Sequence, residues 1–308
     1  MILAAGECLI DMLPRDTADG GTAFQPHAGG SVFNTAIALG RLGIRTGFFS
    51  GISTDLFGQL LFDTLAEAHV DASLAARSDR PTTLAFVTLT DGEASYAFYD
   101  EATAGRMLSE DDLPQVDDDV AAMFFGGISL VVEPCCATFE ALMARESVTR
   151  PTMLDPNIRP GFIRDEAGFR ARIMRMIGHA DIVKVSDEDL SWVMGQGSQS
   201  DLAAELRALG PAIVLVTKGV DGATAYHEGG MAGVPAVEVE VVDTVGAGDT
   251  FNAGILASFH EQGVLTKRAL REVSGNEIEA AMRLGSQAAA VTVSRAGADS
   301  PWRNELSP

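Results

Sequence analysis

Short apolar runs alternate with helical patterns along most of this 308-residue chain, and that alternation constrains the fold more than any other feature. Runs typical of strands occupy residues 2–6, 46–51, 121–126, 152–155, 181–185 and 212–217. Helical patterns occupy residues 31–42, 58–68, 137–145, 166–177, 201–208, 250–260 and 277–291. Such alternation predicts an α/β fold with a mostly parallel central sheet, helices on both of its faces, and ligands at the carboxyl ends of the strands.

Two stretches depart from this alternation. Residues 9–28 hold turn residues between short β-type pieces, and residues 82–100 alternate like a hairpin around Asp91-Gly92. We expect the two stretches to form a small extra sheet that projects from the main domain. Since 46% of the residues are hydrophobic, the chain can bury one large core. We therefore expect a single domain over residues 1–308 with this sheet as an appendage.

Residues 242–254 (VDTVGAGDTFNAG) form a turn of small residues between a β-like run, in which Val237, Val239 and Val241 alternate with polar residues, and a helix. The N-terminus of a helix presents unpaired N–H groups that attract phosphate. Glycines in such a turn let a ligand approach the backbone closely. Asp249 stands where a phosphate would meet these amides, which suits a base that takes a proton from a nucleophile. The alternative is that Asp249 caps the helix.

Two common nucleotide-binding motifs are absent from the sequence. The spacing Gly-x-Gly-x-x-Gly of dinucleotide-binding folds fails here, because Gly246-x-Gly248 continues to Phe251. A P-loop requires Gly-Lys followed by Ser or Thr, and the chain has no Gly-Lys dipeptide. An oxidoreductase built on a dinucleotide fold is therefore disfavoured, and any nucleotide must be held in another way.

The turn resembles the C-terminal signature of the ribokinase-like (PfkB-type) sugar kinases, Asp-Thr-x-Gly-Ala-Gly-Asp-x-Phe. Residues 28–43 (AGGSVFNTAIALGRLG) match the family's N-terminal signature, in the family's order and spacing. The similarity extends from Gly6 to about Pro301. It implies a three-layer α/β/α domain in which the small sheet, about 9–28 and 82–100, is a lid over the sugar and a contact between two copies in a homodimer.

The resemblance also implies roles for the residues of the turn. The amides of Gly246, Ala247, Gly248 and Asp249 would hold the β-phosphate and the transferring phosphate of ATP, and Asp249 would deprotonate the sugar hydroxyl. Asp11, Gly29, Gly30 and Asn34 match the family's sugar-binding positions, where paired hydrogen-bonding atoms suit vicinal hydroxyls. Taken alone, Asn34 is more typical of a helix surface and Asp11 of a turn.

Two further segments resemble the fructokinase-like subgroup. Residues 154–160 (LDPNIRP) match its Asp-x-Asn-x-Arg segment, in which Arg159 would brace the sugar or the phosphate and Asp155 and Asn157 would shape the turn. A surface ion pair is the alternative for Arg159. Residues 98–104 match its Phe-Tyr segment, in which Phe98 or Tyr99 would form a wall of the sugar site, with packing inside the hairpin as the alternative.

The resemblance implies the nucleotide-binding residues with less precision than the sugar-binding residues. The matching positions are Lys184, Ser186, Thr217, Lys218, Gly219, Gly222 and Ser286. The family often has Asn-x-x-Glu where this chain has Ser186 and Asp189, so Asp189 would order Mg²⁺-bound water, with Glu188 as an adjacent substitute. A capping box of Ser186 with Asp189 is the alternative. Asp243 and Thr244, with carbonyls from 294–297, resemble a site for a monovalent cation such as K⁺, and a structural role for Asp243 is equally open.

The composition limits the partners. A net charge of −21 disfavours nucleic acid and anionic membranes, since both require a basic face. Adjacent Cys135 and Cys136, with Cys8, make neither a disulfide framework nor a zinc site. The first residues read as a short strand interrupted by Glu7 rather than as a signal peptide, and no apolar run is long enough to span a membrane. We expect a soluble cytoplasmic protein.

The function implied is an ATP-dependent sugar kinase that requires Mg²⁺ and phosphorylates a hydroxymethyl group, with fructose as the favoured substrate. The first alternative is a 2-keto-3-deoxygluconate kinase, which must also satisfy a carboxylate, through Arg159 or through Arg106 or Arg80. Ribokinase and nucleoside kinase activities are disfavoured by the fructokinase-like segments. An alternative of another class is a sugar- or nucleotide-binding sensor without catalysis, which the retained Asp249 argues against.

Overall fold

The computed structural model describes residues 1–90 and 93–306. The expected hairpin turn at Asp91-Gly92 lies outside the described residues. The strands are β1 (Ile2–Ala5), β2 (Leu9–Asp16), β3 (Thr22–Gly29), β4 (Thr46–Phe49), β5 (Gly51–Ser53), β6 (Val70–Asp71), β7 (Ala76–Ser78), β8 (Leu84–Thr90), β9 (Glu93–Tyr99), β10 (Ala122–Gly126), β11 (Thr152–Asp155), β12 (Ile182–Ser186), β13 (Ile213–Thr217), β14 (Ala223–His227) and β15 (Gly230–Val234).

The helices are α1 (Ser31–Arg41), α2 (Leu56–Glu67), α3 (Cys135–Glu146), α4 (Glu166–His179), α5 (Asp187–Met194), α6 (Gln199–Ala208), α7 (Ala247–Glu261), α8 (Lys267–Glu272) and α9 (Gly275–Val293). Helices α2, α4, α5, α6, α8 and α9 begin after a side chain that accepts a first-turn N–H, namely Asp55, Asp165, Ser186, Ser198, Thr266 and Ser274. In contrast, α1, α3 and α7 begin at Gly30, Pro134 and Gly246 without a side-chain cap.

The central sheet has the strand order β15-β14-β13-β12-β11-β10-β1-β4-β6. Its strands from β13 to β6 pair in parallel, and β14 and β15 add an antiparallel edge. The chain builds outward from β1 through β4 and β6, and then returns to the other side of β1 with β10. Since the order reverses between β1 and β10, a crevice is expected beyond their carboxyl ends.

Helices cover both faces of this sheet. Ile2 and Ala4 of β1 belong to one buried cluster, with residues of α1, α2, α7 and α9, and Leu3 and Ala5 belong to another, with residues of α3, α4 and α6. Successive residues of a strand point to opposite faces, so each strand contributes to both clusters. The predicted three-layer α/β/α architecture is confirmed.

A separate four-stranded sheet has the order β3-β2-β8-β9. Strands β2 and β8 are parallel and the two outer pairs are antiparallel. It is built from the two stretches that interrupt the α/β alternation, and it begins directly after β1, so its inner face lies beside the crevice. The small additional sheet was predicted, and its action as a lid stays a prediction.

One predicted element is wrong. Val237, Val239 and Val241 alternate like a strand, but the segment between β15 and α7 is irregular and these side chains are 43%, 40% and 54% exposed. Alternation predicts a strand only where a sheet edge is available for pairing. This part of the chain instead docks on the end of α9, where the amides of Val242 and Asp243 donate to the carbonyl of Val293.

The sequence reading missed α5, α8 and the hairpin of β14 and β15. Helices α5 and α8 have eight and six residues, too few to show a clear helical period. Within the described part of the chain, none of the helices is both long and apolar enough to cross a membrane.

Candidate active site

Asp249 lies in the first turn of α7 and is 7% exposed. Its Oδ1 accepts a hydrogen bond of 2.6 Å from Ser31 Oγ, and its Oδ2 accepts one of 2.9 Å from Asn34 Nδ2. Both donors belong to the first turn of α1. The carboxylate therefore joins the uncapped ends of two helices, and the capping role considered for Asp249 does not occur.

Burial raises the pKa of Asp249 to about 6. The hydrogen bonds from Ser31 and Asn34 oppose this shift, the charge of Asp155 adds to it, and Lys184 opposes it. With that pKa, the carboxylate is ionised above about pH 6 and can accept a proton at neutral pH. A general base is most effective when its pKa lies near the working pH.

The turn before α7 presents backbone amides to this place. Gly246 has a φ of 79°, and a Cβ on it would lie 2.7 Å from Cβ of Ala298, so the turn requires glycine. Gly246 begins the helix and Gly248 lies in its first turn, beside Asp249. The expected anion-binding residues Gly246, Ala247, Gly248 and Asp249 are thus contiguous at a helix N-terminus that has no side-chain cap.

A buried ion pair lies beneath this turn. Lys184 Nζ is 3.0 Å from Asp155 Oδ2, and the two side chains are 7% and 1% exposed. Asn252 of α7 donates to the same oxygen at 2.7 Å, and the Asn157 amide donates to Asp155 Oδ1 at 3.0 Å. A Cβ on Gly248 would lie 3.1 Å from Lys184 Nζ, so this ammonium group approaches the anion-binding turn. Asp155 and Asn157 shape the turn after β11, as predicted.

A cleft of about 330 Å³ opens beside the base, between the small sheet and the crevice of the large one. Of the residues predicted to bind substrate, the following line it: Asp11, Gly30, Asn34, Phe98 and Arg159. Ser31 lines it as well, so both side chains that bond Asp249 face the cleft. Asp249 itself lies directly behind them.

Asp11 is on β2, on the face of the small sheet that borders the cleft. A Cβ on Gly29, which the sequence also assigned to substrate, would overlap the Asp11 carboxylate. Burial, and secondarily the charge of Asp249, raise the pKa of Asp11 to about 6. The two carboxylates thus interact electrostatically across the site.

The two aromatic residues of β9 point to opposite sides. Phe98 lines the cleft and contacts Phe162, with ring centroids 4.7 Å apart. Tyr99 is 64% exposed and contacts Phe86, which in turn contacts Phe24. Of the two residues considered for a wall of the sugar site, the structure brings Phe98 and not Tyr99 to the cleft, because neighbouring residues of a strand face opposite ways.

Among the three candidate arginines, Arg159 lines the cleft and is exposed at its edge. Arg106 lies in a small neighbouring cavity of about 20 Å³ and pairs with Asp100, with 3.6 Å between Nη1 and Oδ2. Arg80 is exposed and lies outside both sets of lining residues. The cleft therefore has one cation among its described lining residues.

The acidic residues that follow β12 differ in burial, and Asp189 is the least exposed of them. It is half-buried, whereas Asp187 and Glu188 are exposed. Burial and then Asp155 raise its pKa, while Lys184, Ser186 and Arg159 oppose the shift. Ser186 caps α5 by accepting the Asp189 amide at 2.9 Å, which is one half of the capping box considered from the sequence. In residues 1–90 and 93–306, no group of three or more His, Cys, Asp or Glu side chains is arranged to hold a metal ion.

Asp243 has a structural role in the loop before α7. Its Oδ1 accepts the Val245 amide at 3.0 Å, and its Oδ2 accepts the Gly297 amide at 2.9 Å. Oδ1 thus closes a turn within the loop and Oδ2 ties the loop to Gly297 after α9, while Thr244 is exposed. This arrangement positions the carbonyls of 294–297 beside the turn without assigning a cation to them.

The remaining residues assigned to the nucleotide lie at the same edge of the sheet. Thr217 ends β13, and the turn that follows it closes with a 2.8 Å bond from the Lys218 amide to the Gly222 carbonyl. Gly219 lies within this turn. Ser286 is half-buried on α9, next to Gly285, which packs against Phe251 of α7. Ser286 lies on the helix that packs against α7, and the contacts of all these residues with a nucleotide stay predictions.

Sequence reasoning assigned no role to several residues of the site, namely Glu7, Ser31, Ile128, Phe162, Val245 and Asn252. Ser31 stands at the start of the N-terminal signature and its position after Gly30 was a usable signal. Glu7 was noted only as a charge that interrupts an apolar run. The other four residues lie near the site because of the order of the strands in the sheet, which local sequence patterns do not encode.

Comparison with known proteins agrees with this geometry. Residues 1–305 match the family described as pfkB family carbohydrate kinase. A fructokinase of Rhizobium leguminosarum bv. trifolii is 54% identical over 285 residues, which cover 92% of this chain and 86% of the relative.

Two solved structures have the same fold. The fructokinase of Xylella fastidiosa with bound ATP gives a TM-score of 0.88 at 29% identity, covering 96% of this chain and 93% of that one. A double mutant of the fructokinase of Vibrio cholerae O395, with fructose, ADP and potassium ion bound, gives a TM-score of 0.84 at 25% identity, covering 96% and 93%. With both signatures at one site, the chain belongs to the pfkB family of carbohydrate kinases and is a phosphotransferase.

Proposed function

We propose that this enzyme is an ATP-dependent fructokinase that transfers the γ-phosphoryl group to a hydroxymethyl group of fructose. The observation that carries the proposal is the buried carboxylate of Asp249 behind a polar cleft, at the N-terminus of α7. The 54% identity to a fructokinase supports the choice of sugar. The alternative of a non-catalytic sensor would not require a carboxylate beside the anion-binding turn of α7, where Asp249 lies.

Asp249 is the base of the proposed reaction. The sugar hydroxyl approaches through the cleft, past Ser31 and Asn34, and donates its proton to a carboxylate oxygen that these side chains now occupy. Their hydrogen bonds keep the carboxylate ionised and oriented until the hydroxyl replaces one of them. The resulting alkoxide character develops next to the transferring phosphoryl group.

The phosphate side of the reaction rests on the turn at residues 246–249. Its amides form the anion-binding surface, and Lys184 lies close enough to Gly248 to add positive charge to it. Such groups stabilise charge that grows on the transferring phosphoryl group. Mg²⁺ would enter with ATP, and Asp189 would bind water of that ion. A K⁺ ion at the carbonyls of 294–297 would order the same turn.

The charges of the cleft favour a neutral sugar over a keto-acid. Two carboxylates, Glu7 and Asp11, line the cleft, Asp249 lies behind it, and Arg159 is the cation at its edge. Arg106, the second cation considered for a substrate carboxylate, is paired with Asp100 in the neighbouring cavity. A substrate carboxylate would therefore meet more negative than positive charge. Fructose carries no charged group.

The small sheet is proposed to act as the lid of this site. Asp11 and Phe98 lie on its inner face, so its movement toward the large domain would close the cleft and exclude water, which otherwise competes for the phosphoryl group. Its outer face carries three aromatic rings, of which Phe86 contacts both Phe24 and Tyr99. We assign this exposed apolar group to the contact in a homodimer. The three cysteines are free and buried, which accords with a cytoplasmic enzyme.

A coupled assay of ADP release tests the proposal. Fructose, 2-keto-3-deoxygluconate, ribose and adenosine are compared with ATP and Mg²⁺, with the Asp249→Asn variant alongside. We expect turnover of fructose by the parent enzyme and its loss in the variant. Preference for the keto-acid would move the substrate assignment, turnover that survives in the variant would overturn the base, and binding without turnover would favour the sensor.

A further inference from the structure

Glu7 is a buried carboxylate that the proposed reaction does not use. It follows β1, at the place where the strand order reverses between β1 and β10, and is 9% exposed. It lines both the cleft and the small neighbouring cavity. A buried carboxylate without a lysine or arginine partner is costly to keep, so its contacts are informative.

The two oxygens of Glu7 contact two different elements. Oε1 accepts the amide of Val32, in the first turn of α1, at 3.3 Å. Oε2 accepts the amide of Ser129, in the turn after β10, also at 3.3 Å. One side chain therefore connects the start of α1 to the segment on the other side of the crevice.

The surrounding backbone leaves room for this carboxylate. Gly127 has a φ of 68°, and a Cβ on it would overlap both carboxylate oxygens of Glu7. Because any other residue at position 127 would displace the carboxylate as well as strain the backbone, the turn after β10 is shaped around Glu7.

The first turn of α1 also holds the base. Ser31 and Asn34 flank Val32 and donate to the two oxygens of Asp249. We propose that Glu7 is a positioning residue for the base: by holding the start of α1 against the turn after β10, it fixes Ser31 and Asn34 on Asp249. This inference rests on the proposed role of Asp249 in phosphoryl transfer.

The charges around Glu7 make its role depend on pH. Asp249 of α7 interacts electrostatically with Glu7, and Asp11 of β2 lines the same cleft. The small cavity is lined by Glu7 together with Cys8, Asp100, Arg106 and Cys135. Burial raises the pKa of Glu7 to about 7, the backbone hydrogen bonds oppose this, and Asp249 adds to it. Protonation turns one acceptor oxygen into a hydroxyl and weakens one of the two contacts.

Three variants test the inference. Glu7→Gln keeps the size but turns an amide group toward one of the two N–H donors. Glu7→Asp keeps the charge but shortens the reach. The control is Glu67→Gln, which makes the same charge change on the exposed side of α2. Measurements are kcat and KM for fructose and for ATP, the pH profile of kcat/KM, and circular dichroism of each folded protein.

We expect kcat to fall at least about tenfold in both Glu7 variants, with the KM for ATP within about twofold of the parent value. In Glu7→Gln the acid limb of kcat/KM should move to lower pH, because the proton that Glu7 loses near neutrality is gone and Asp249 no longer faces its charge. Glu67→Gln should match the parent enzyme in every measurement.

Either of two results would overturn the inference. One is a parental kcat in both folded variants. The other is a Glu7→Gln variant that loses stability but keeps the parental pH profile, as for a purely structural residue. Failure of the proposed function is recognised separately, since it would appear as a parent enzyme without fructose turnover or an active Asp249→Asn variant.

Discussion

The two ends of the cleft are built in different ways. The base end, Asp249 with Ser31 and Asn34, lies where α1 and α7 meet, and both of its carboxylate oxygens are already bonded. The substrate end, Asp11, Phe98 and Arg159, is carried by strands and a turn at the edge of the small sheet, and Arg159 is exposed. A fixed base can serve one reaction, while an adjustable substrate end sets which sugar it acts on.

The same contrast appears in the way helices start. Six helices begin after a capping Asp, Ser or Thr, whereas α3 begins at Pro134 and the two helices at the base end, α1 and α7, begin at Gly30 and Gly246 without such a cap. A side-chain cap at α7 would occupy the amides that the reaction needs for phosphate. In place of caps, hydrogen bonds from Ser31 and Asn34 of α1 to Asp249 of α7 stabilise these two helix ends.

The largest expected effect tests the base end. Asp249→Asn keeps the size of the side chain but removes the proton acceptor and turns an NH2 group toward one of the two donors of α1. We expect kcat to fall by about 10²–10⁴-fold with little change in the KM for ATP. ADP release with saturating fructose measures it. The control is Asp118→Asn, on an exposed loop, which should stay at the parental rate; a loss there would mean that net charge, not the base, is responsible.

The next effect concerns stability beneath the base end. Lys184→Met removes one partner of the buried pair with Asp155, and we expect a loss of about 3–5 kcal/mol in the free energy of unfolding. The matched change is Lys267→Met, which breaks the pair with Asp181 in a place where the lysine is 34% exposed. Urea denaturation should show a smaller loss for Lys267→Met. Equal losses in the two variants would mean that the buried pair of Lys184 contributes no more to stability than the partly exposed pair of Lys267.

The contrast between the ends also explains what the sequence predicted well. Residues 246–249 are contiguous, and the physical requirements of an anion-binding turn are local, so the amides and Asp249 were placed correctly. The central strands were placed within a few residues because buried parallel strands read as apolar runs. The valines at 237, 239 and 241 were misread as a strand, because pairing depends on a neighbour that the pattern does not show.

The substrate end was predicted less completely for the same reason. Phe98 and Tyr99 are adjacent and chemically similar, and only the register of β9 against β8 decides which of them faces the cleft. Glu7, Phe162 and Val245 reach the cleft from three separate segments. Their convergence is a property of the strand order and not of any short motif.

Substitution of the two aromatic residues sharpens this point. Phe98→Ala removes a wall of the cleft and its contact with Phe162, and we expect the KM for fructose to rise about tenfold, equivalent to about 1.4 kcal/mol. Tyr99→Ala, on the outer face, should leave the KM within about twofold. Steady-state kinetics with varied fructose decides between them, and a larger effect of Tyr99→Ala would place the substrate on the other face of β9.

The smallest expected effect concerns the electrostatic interaction between Asp249 at the base end and Asp11 at the substrate end. Burial raises the pKa of Asp249 to about 6, so the base gains activity as pH rises through that value. The effect of Asp249 on the free energy of unfolding has the opposite sign. Because its pKa is higher in the folded state, Asp249 keeps a proton there that the unfolded chain has lost, so the free energy of unfolding falls as pH rises toward 6. Asp11 and Asp249 repel each other when both are ionised.

Asp11→Asn removes that repulsion and should move the acid limb of kcat/KM to lower pH, by less than about one unit, because burial is the first cause of the raised pKa at Asp249. Asp16→Asn, at the exposed end of the same strand, is the control and should leave the limb in place. The pH profile of kcat/KM for fructose measures the shift. A limb that stays at the parental pH in Asp11→Asn would mean that the substrate end is electrostatically independent of the base, and that the two ends communicate only through the sugar.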